Sequence, residues 1–160
     1  MKKRVELSSY SIIISAIMIA VMCGVVVYAA KQPDNAIAVW ILSAVFLALI
    51  FSTLFFMPMS VSADNNYIKV RRPLKTKKIP LKEVSDVRLC SPTMGAIRMC
   101  GSGGCFGWYG WFKERDLGKY FAYYGKASDC FLVTLKDGRK YMLGCKDAPE
   151  MVEYINGKID

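Results

Sequence analysis

The stretch YSIIISAIMIAVMCGVVVYAAKQPDNAIAVWILSAVFLALIFSTLFFM, Tyr10 to Met57, decides the fold. It holds two uncharged apolar runs, Tyr10–Ala30 and Ala36–Met57, parted by the polar segment Lys31-Gln-Pro-Asp-Asn35. A helix rises about 1.5 Å per residue, so about 20 residues cross about 30 Å of hydrocarbon. Both runs have that length. They predict a transmembrane helical hairpin over residues 1–60, with spans at about 10–30 and 36–57 and a proline-containing turn between them. A soluble pair of buried helices this long would need a far larger domain around it.

Basic residues set the orientation. Lys2, Lys3 and Arg4 precede the first span, and only Lys31 lies between the spans. After the second come Lys69, Arg71, Arg72, Lys75, Lys77, Lys78 and Lys82. The positive-inside rule therefore predicts a multi-pass protein of the inner (plasma) membrane with both termini cytoplasmic. Tyr28 and Trp40 then fall at the outer interface, and Tyr10, Phe55 and Phe56 at the inner one. A signal peptide is the competing expectation, with Met-Lys-Lys-Arg as its charged start and Val27-Tyr28-Ala29 as a cleavage site. The first apolar run is longer than the usual signal core. Even after cleavage, the second span would hold the rest of the chain on the cytoplasmic side.

Small residues recur at every fourth position in both spans, as Ala16, Ala20, Gly24 and as Ala44, Ala48, Ser52. Such stripes allow close helix approach. Packing within the hairpin is the simpler expectation, and an oligomer seam between hairpins is the sharper one.

The chain is 54% hydrophobic yet 22% charged, because the apolar residues gather before Met59 and the charge after it. Residues 61–160 are left for one small soluble domain. A net charge of +9 suits nucleic acid, acidic proteins or an anionic membrane, and the spans make the bilayer the default partner. Six cysteines occur without any Cys-x-x-Cys pair, and there is no histidine. No metal or cofactor is expected, and the cysteines are expected as reduced, buried small residues. Without histidine, Ser-His and Cys-His nucleophile pairs are excluded. Gly101 to Gly110 lacks the Gly-Lys-Ser/Thr of a phosphate loop, and Phe106 stands where a dinucleotide fingerprint needs glycine. Glu114 and Asp116, among Lys113 and Arg115, are expected in a solvated turn rather than as an acid and base pair.

Strand patterns dominate the soluble part. Tyr67–Arg72 alternates, Lys75–Ile79, Val84–Cys90 and Lys119–Tyr124 come after it, and Cys130–Leu135 is nearly continuous. Asp137-Gly138 predicts a hairpin turn into Lys140–Leu143. A final helix starts at Asp147, with Glu150 as its capping-box partner and Met151, Val152, Ile155 and Ile159 as its buried stripe.

The segment Gly101-Ser-Gly-Gly-Cys-Phe-Gly-Trp-Tyr-Gly-Trp-Phe112 is succeeded by Leu117-Gly-Lys-Tyr120, the Lys136–Tyr141 hairpin and the Asp147–Ile155 helix. With Lys78–Val84, these resemble the bacterial pleckstrin-homology-like (bPH) domain family, of the type with two N-terminal transmembrane helices. The resemblance covers about residues 61–158. It implies a mainly β PH-like domain of two antiparallel sheets capped by the C-terminal helix. It implies no enzymatic activity and carries over no functional residue.

Two features bear on function. Phe106, Trp108, Tyr109, Trp111 and Phe112 sit among glycines, so the rings either fill the core or reach the bilayer interface. Lys69 to Lys82 holds seven basic residues and no acidic one. The expectation is a non-catalytic, membrane-anchored module that mediates protein–protein interaction or self-assembly. The alternatives are anionic-lipid headgroup binding and service as an accessory subunit of a membrane complex. The expected membrane or partner contacts are Lys69, Arg71, Arg72, Lys75, Lys77, Lys78, Trp108, Tyr109 and Trp111. No nucleic-acid partner is expected, because no RNA-binding signature accompanies the charge.

Overall fold

Before the first apolar helix the chain already builds part of the soluble domain. Lys2–Arg4 forms strand β1, and α1 runs from Ser9 to Ala30. Helix α2 covers Ala36–Phe56. Strands β2 (Ser60–Ala63), β3 (Tyr67–Arg71) and β4 (Thr76–Pro80) come next. This computed structural model describes residues 1–31 and 36–159, so the expected turn lies, apart from Lys31, outside the described residues.

Both helices are long and apolar enough to cross a membrane, and their apolar windows are only 11% and 0% buried by protein. A soluble core helix would be mostly covered, so these surfaces lack the burial of one. The face of α1 that turns inward runs through Ser11, Ser15, Met18, Met22, Val26 and Ala29. The stripe Ala16, Ala20, Gly24 and its counterpart Ala44, Ala48, Ser52 are exposed instead. Nothing lies within 4 Å of a Cβ built on Gly24. Within one chain these stripes therefore stay on the open surface of the helices, and the less exposed positions of α1 lie on another face.

Strand β1 pairs antiparallel with β2, giving a four-stranded sheet ordered β1-β2-β3-β4. The Met1 ammonium donates to the Ala63 carbonyl at 2.8 Å, and Val5 N donates to Met59 O at 3.0 Å. Lys3 reaches across to Asp147 and Glu150 at 3.0 and 2.6 Å. Those two carboxylates, expected as a capping box, are thus tied to the N-terminal strand, and Asp147 has a positive φ of 55°.

The second sheet contains β5 (Val84–Leu89), β6 (Ile97–Gly104), β7 (Gly107–Glu114), β8 (Gly118–Tyr124), β9 (Cys130–Leu135) and β10 (Lys140–Gly144). Its order is β5-β9-β10-β8-β7-β6. The pairs are antiparallel except β10 with β8, which run parallel, so the expectation of wholly antiparallel sheets needs that correction. Helix α3 (Ala148–Ile159) closes the domain, burying Met151, Val152 and Ile155. Strand β9 reads as continuously apolar because both of its faces are covered. Phe131, Val133 and Leu135 join the core under α3, and Cys130 and Leu132 join a second cluster with Phe112, Tyr120 and Met142.

The glycine-aromatic segment folds as the β hairpin of β6 and β7. Gly101 faces Gly110 across β6 and β7, with φ of +124° and +120°. A Cβ on Gly110 would stand 2.1 Å from the Cys100 carbonyl oxygen. Only glycine fits there, because both the dihedral and the backbone contact exclude a side chain. Gly110→Ala is therefore expected to cost at least about 3 kcal/mol in denaturant unfolding. Gly24→Ala, on an open helix surface, should leave stability unchanged or raise it by about 1 kcal/mol.

Candidate functional site

Three contacts fix the domain against the start of α1 and the end of α2. Ser8 N donates to Gly125 O at 3.0 Å, and the chain passes so close that a Cβ on Gly125 would stand 2.3 Å from Glu6 O. The β6–β7 turn meets α1: Phe106 N donates to Ser15 Oγ at 2.7 Å, while that hydroxyl donates to Ser11 O at 2.6 Å. One buried hydroxyl thus satisfies a turn N–H that would otherwise be costly to bury. Tyr109 stacks on Phe56 at the end of α2, with ring centroids 6.0 Å apart.

Arg72 occupies the centre of this junction and is buried. Its guanidinium lies 5.5 Å from the Phe55 and Tyr123 ring centroids and 5.9 Å from that of Phe56. It also donates to Lys75 O at 3.2 Å and to Tyr123 Oη at 3.3 Å. Burial pushes the Tyr123 hydroxyl above its ordinary value, with Arg72 pulling it partly back. A neutral Tyr123 hydroxyl can accept the bond from arginine. Among the described residues no carboxylate pairs with Arg72.

The other expected contact residues separate by cross-strand register. Residues directly opposite in a sheet share a face. Lys2, Ser62, Lys69 and Lys78 form one row, and Arg4, Ser60, Arg71 and Thr76 the next. Both rows lie opposite the buried side, which holds Ile68, Val70 and Ile79. Lys69 is partly occupied by an ion pair with Asp64. Lys77 lies over the Tyr141 ring and Lys75 over Phe55. Arg72 and Tyr109, expected at a contact surface, are inside the protein. Trp108 is half-buried and stacks on Tyr124 at 5.8 Å. Trp111 is exposed, with Lys119 Nζ 4.6 Å from its ring centroid.

Lys2 and Arg4 joined this face only through the β1 pairing. A strand of only three residues carries no periodicity that could announce it. Glu114, expected in a solvated turn, is buried and accepts bonds from Tyr120 Oη and, at 2.8 Å, from Thr93 Oγ1. The expectation of buried cysteines holds for Cys130 and for Cys145, whose thiol burial pushes up to about 12. It fails for Cys100, which is exposed at the β6 bulge.

A cavity of about 580 Å³ separates α2 from the β6–β8 surface. Met18 and Leu49 line it from the helices, Tyr109, Trp111 and Phe121 from the sheet, and Arg98 is the charged residue on its wall.

A helical stem bearing two β sheets closed by a C-terminal helix defines a PH-like module of the two-helix membrane type. The chain belongs to the bacterial PH domain family, whose sequence profile matches residues 59–159. That match begins after the helices, so β1 lies outside it. No curated protein matches the chain, and no solved structure does.

Arg72→Lys should not rescue the junction, because an ammonium lacks the flat, forked guanidinium that stacks on several rings at once. Both Arg72→Lys and Arg72→Met are expected to lose about 2 kcal/mol. Faster hydrogen exchange at residues 57–60 and at the β7–β8 pair would register the loosening.

Proposed function

We propose that this chain is a non-catalytic, membrane-tethered module of the inner membrane that binds the anionic cytoplasmic leaflet through the outer face of its four-stranded sheet. The observation that carries this reading is the pair of cross-strand rows built from Lys2, Lys69 and Lys78 and from Arg4 and Arg71. The row with Arg4 and Arg71 lies nearest the helices, since β2 begins just after α2 ends. The second row lies about 7 Å farther along the strands. Both fall within about one Debye length of a surface at that end. Each cation near an anionic leaflet contributes about 1 kcal/mol. Arg72 and Lys75, clustered on Phe55, extend the positive charge to the foot of α2.

A protein-binding reading is supported by a separate feature. Strand β6 is an edge strand with Ile97 and Met99 exposed at 69% and 55%. An exposed apolar edge can accept a strand from another copy. A photo-crosslinker at Met99 should capture a second copy under this reading and no second copy under the first.

Two measurements test the proposal. In intact cells, Lys31→Cys should react with an impermeant maleimide, and Lys82→Cys only after permeabilisation. The reverse pattern would put the basic face on the wrong side. In nanodiscs, adding phosphatidylglycerol to phosphatidylcholine should slow hydrogen exchange at Thr76–Pro80, with the protection fading as salt rises. Arg71→Glu combined with Lys78→Glu should abolish it. Equal exchange in neutral and anionic discs would overturn the proposal.

A further inference from the structure

The cavity between α2 and the β6–β8 surface combines a largely apolar lining with one cation. Its volume of about 580 Å³ falls in the range of small-molecule sites. The wall is largely apolar, through Met18, Leu49, Phe56, Trp111 and Phe121, with hydroxyls from Ser52, Thr53 and Ser102. Arg98 is the single charge, and no carboxylate lines the space among the described residues. Arg98 has no ion pair among the described residues, and its Nη1 would stand 3.0 Å from a Cβ built on Gly103. A bulkier residue at 103 would displace the guanidinium from that position.

Two further facts select the occupant. One wall consists of the apolar helices, and on the cavity-lining face of α2 the turns before Leu49 leave Ile41 and Val45 exposed. If these helices span the bilayer, as proposed above, the cavity opens to the space that lipid chains fill. Arg98 apart, the facing sheet wall is also without charge: from Met99 to Phe112 the chain carries neither an acid nor a base. The hydrogen-bonding groups of the turn that closes this side are spent internally, on Ser15 and within the turn, where Ser102 Oγ donates to Cys105 O at 2.7 Å. An apolar slot of this size with one cation at its wall matches an amphiphile with an acyl chain and an anionic head.

We infer that the cavity is a binding site for one anionic phospholipid, with its phosphate on Arg98 and an acyl chain between α2 and the sheet. The lipid would complete the interface between stem and domain, filling space that side chains leave open. This site is separate from the basic sheet face and shares no residue with it. It rests on the membrane-spanning reading of the helices but not on the leaflet contact of the sheet.

The test uses the full chain reconstituted into phosphatidylcholine and phosphatidylglycerol bilayers, extracted in mild detergent and examined by native mass spectrometry. Wild type is expected to retain one phosphatidylglycerol per chain. Ser52→Phe, which fills the slot, should retain about tenfold less. Leu49→Phe provides a second filling variant should the first fail to fold, as judged by its unfolding transition. Arg98→Gln should keep a lipid but lose the preference for phosphatidylglycerol over phosphatidylcholine. Arg71→Glu with Lys78→Glu should leave retention unchanged, which separates this site from the sheet face. Equal retention by wild type and a folded filling variant, or none by wild type, overturns the inference. An unchanged headgroup preference in Arg98→Gln overturns the role of Arg98.

Discussion

Strand β1 pairs with β2 across the entire helical hairpin, and most of the architecture depends on that pairing. The two strands are separated in sequence by both apolar helices, yet Lys2 lies opposite Ser62 and Arg4 opposite Ser60. A chain that leaves a sheet, runs through two membrane-length helices and returns to the neighbouring strand must begin and end the excursion at the same end of the hairpin. The soluble domain is therefore bound to its stem by a sheet ladder as well as by a covalent linker. The Lys3 contacts to Asp147 and Glu150 extend the tie to the C-terminal helix, so the first and last segments of the chain meet.

The junction is then tightened by groups whose polar needs are met locally. The β6–β7 turn finds its acceptor on Ser15, and Arg72 finds aromatic faces and a carbonyl rather than a carboxylate. Such partners leave the cation's charge uncancelled near the foot of the helices. They also hold the two sheets at a fixed position relative to the stem, since a buried donor without a partner would cost about 1–3 kcal/mol. The glycine pair at 101 and 110 lets β6 and β7 come close enough to carry the turn onto α1.

The positive charge and the apolar slot lie on different parts of the molecule and involve different sheets. The outer face of the four-stranded sheet is suited to a diffuse, salt-sensitive attraction, because its cations, apart from the ion-paired Lys69, are exposed and spread over two rows. The slot beside α2 is suited to a single defined ligand, because one cation stands at the edge of an apolar volume. A domain held against its membrane by both would have its orientation set by the leaflet and its stem contacts completed by lipid.

The sequence alone determined the helices, their length, the charge segregation, most strands of the soluble part and the terminal helix. These rest on local signals: unbroken apolar runs, alternation in Tyr67–Arg71, Asp137-Gly138 at a turn, and an apolar stripe at helical spacing. It also carried the family, through the glycine-aromatic segment and the Leu117-Gly-Lys-Tyr120 strand beyond it. Only the tertiary structure decided that Lys2–Arg4 is a strand, that Arg72 and Glu114 are buried, that β8 and β10 run parallel, and which helix faces meet. Each of these depends on contacts between residues far apart in the chain, or on which of several charged neighbours turns inward. A three-residue strand has no period of its own, and an arginine in a basic run has no local mark that distinguishes a solvated cation from one packed on aromatic rings. The cavity was equally invisible, because a gap belongs to the surfaces around it and not to any segment.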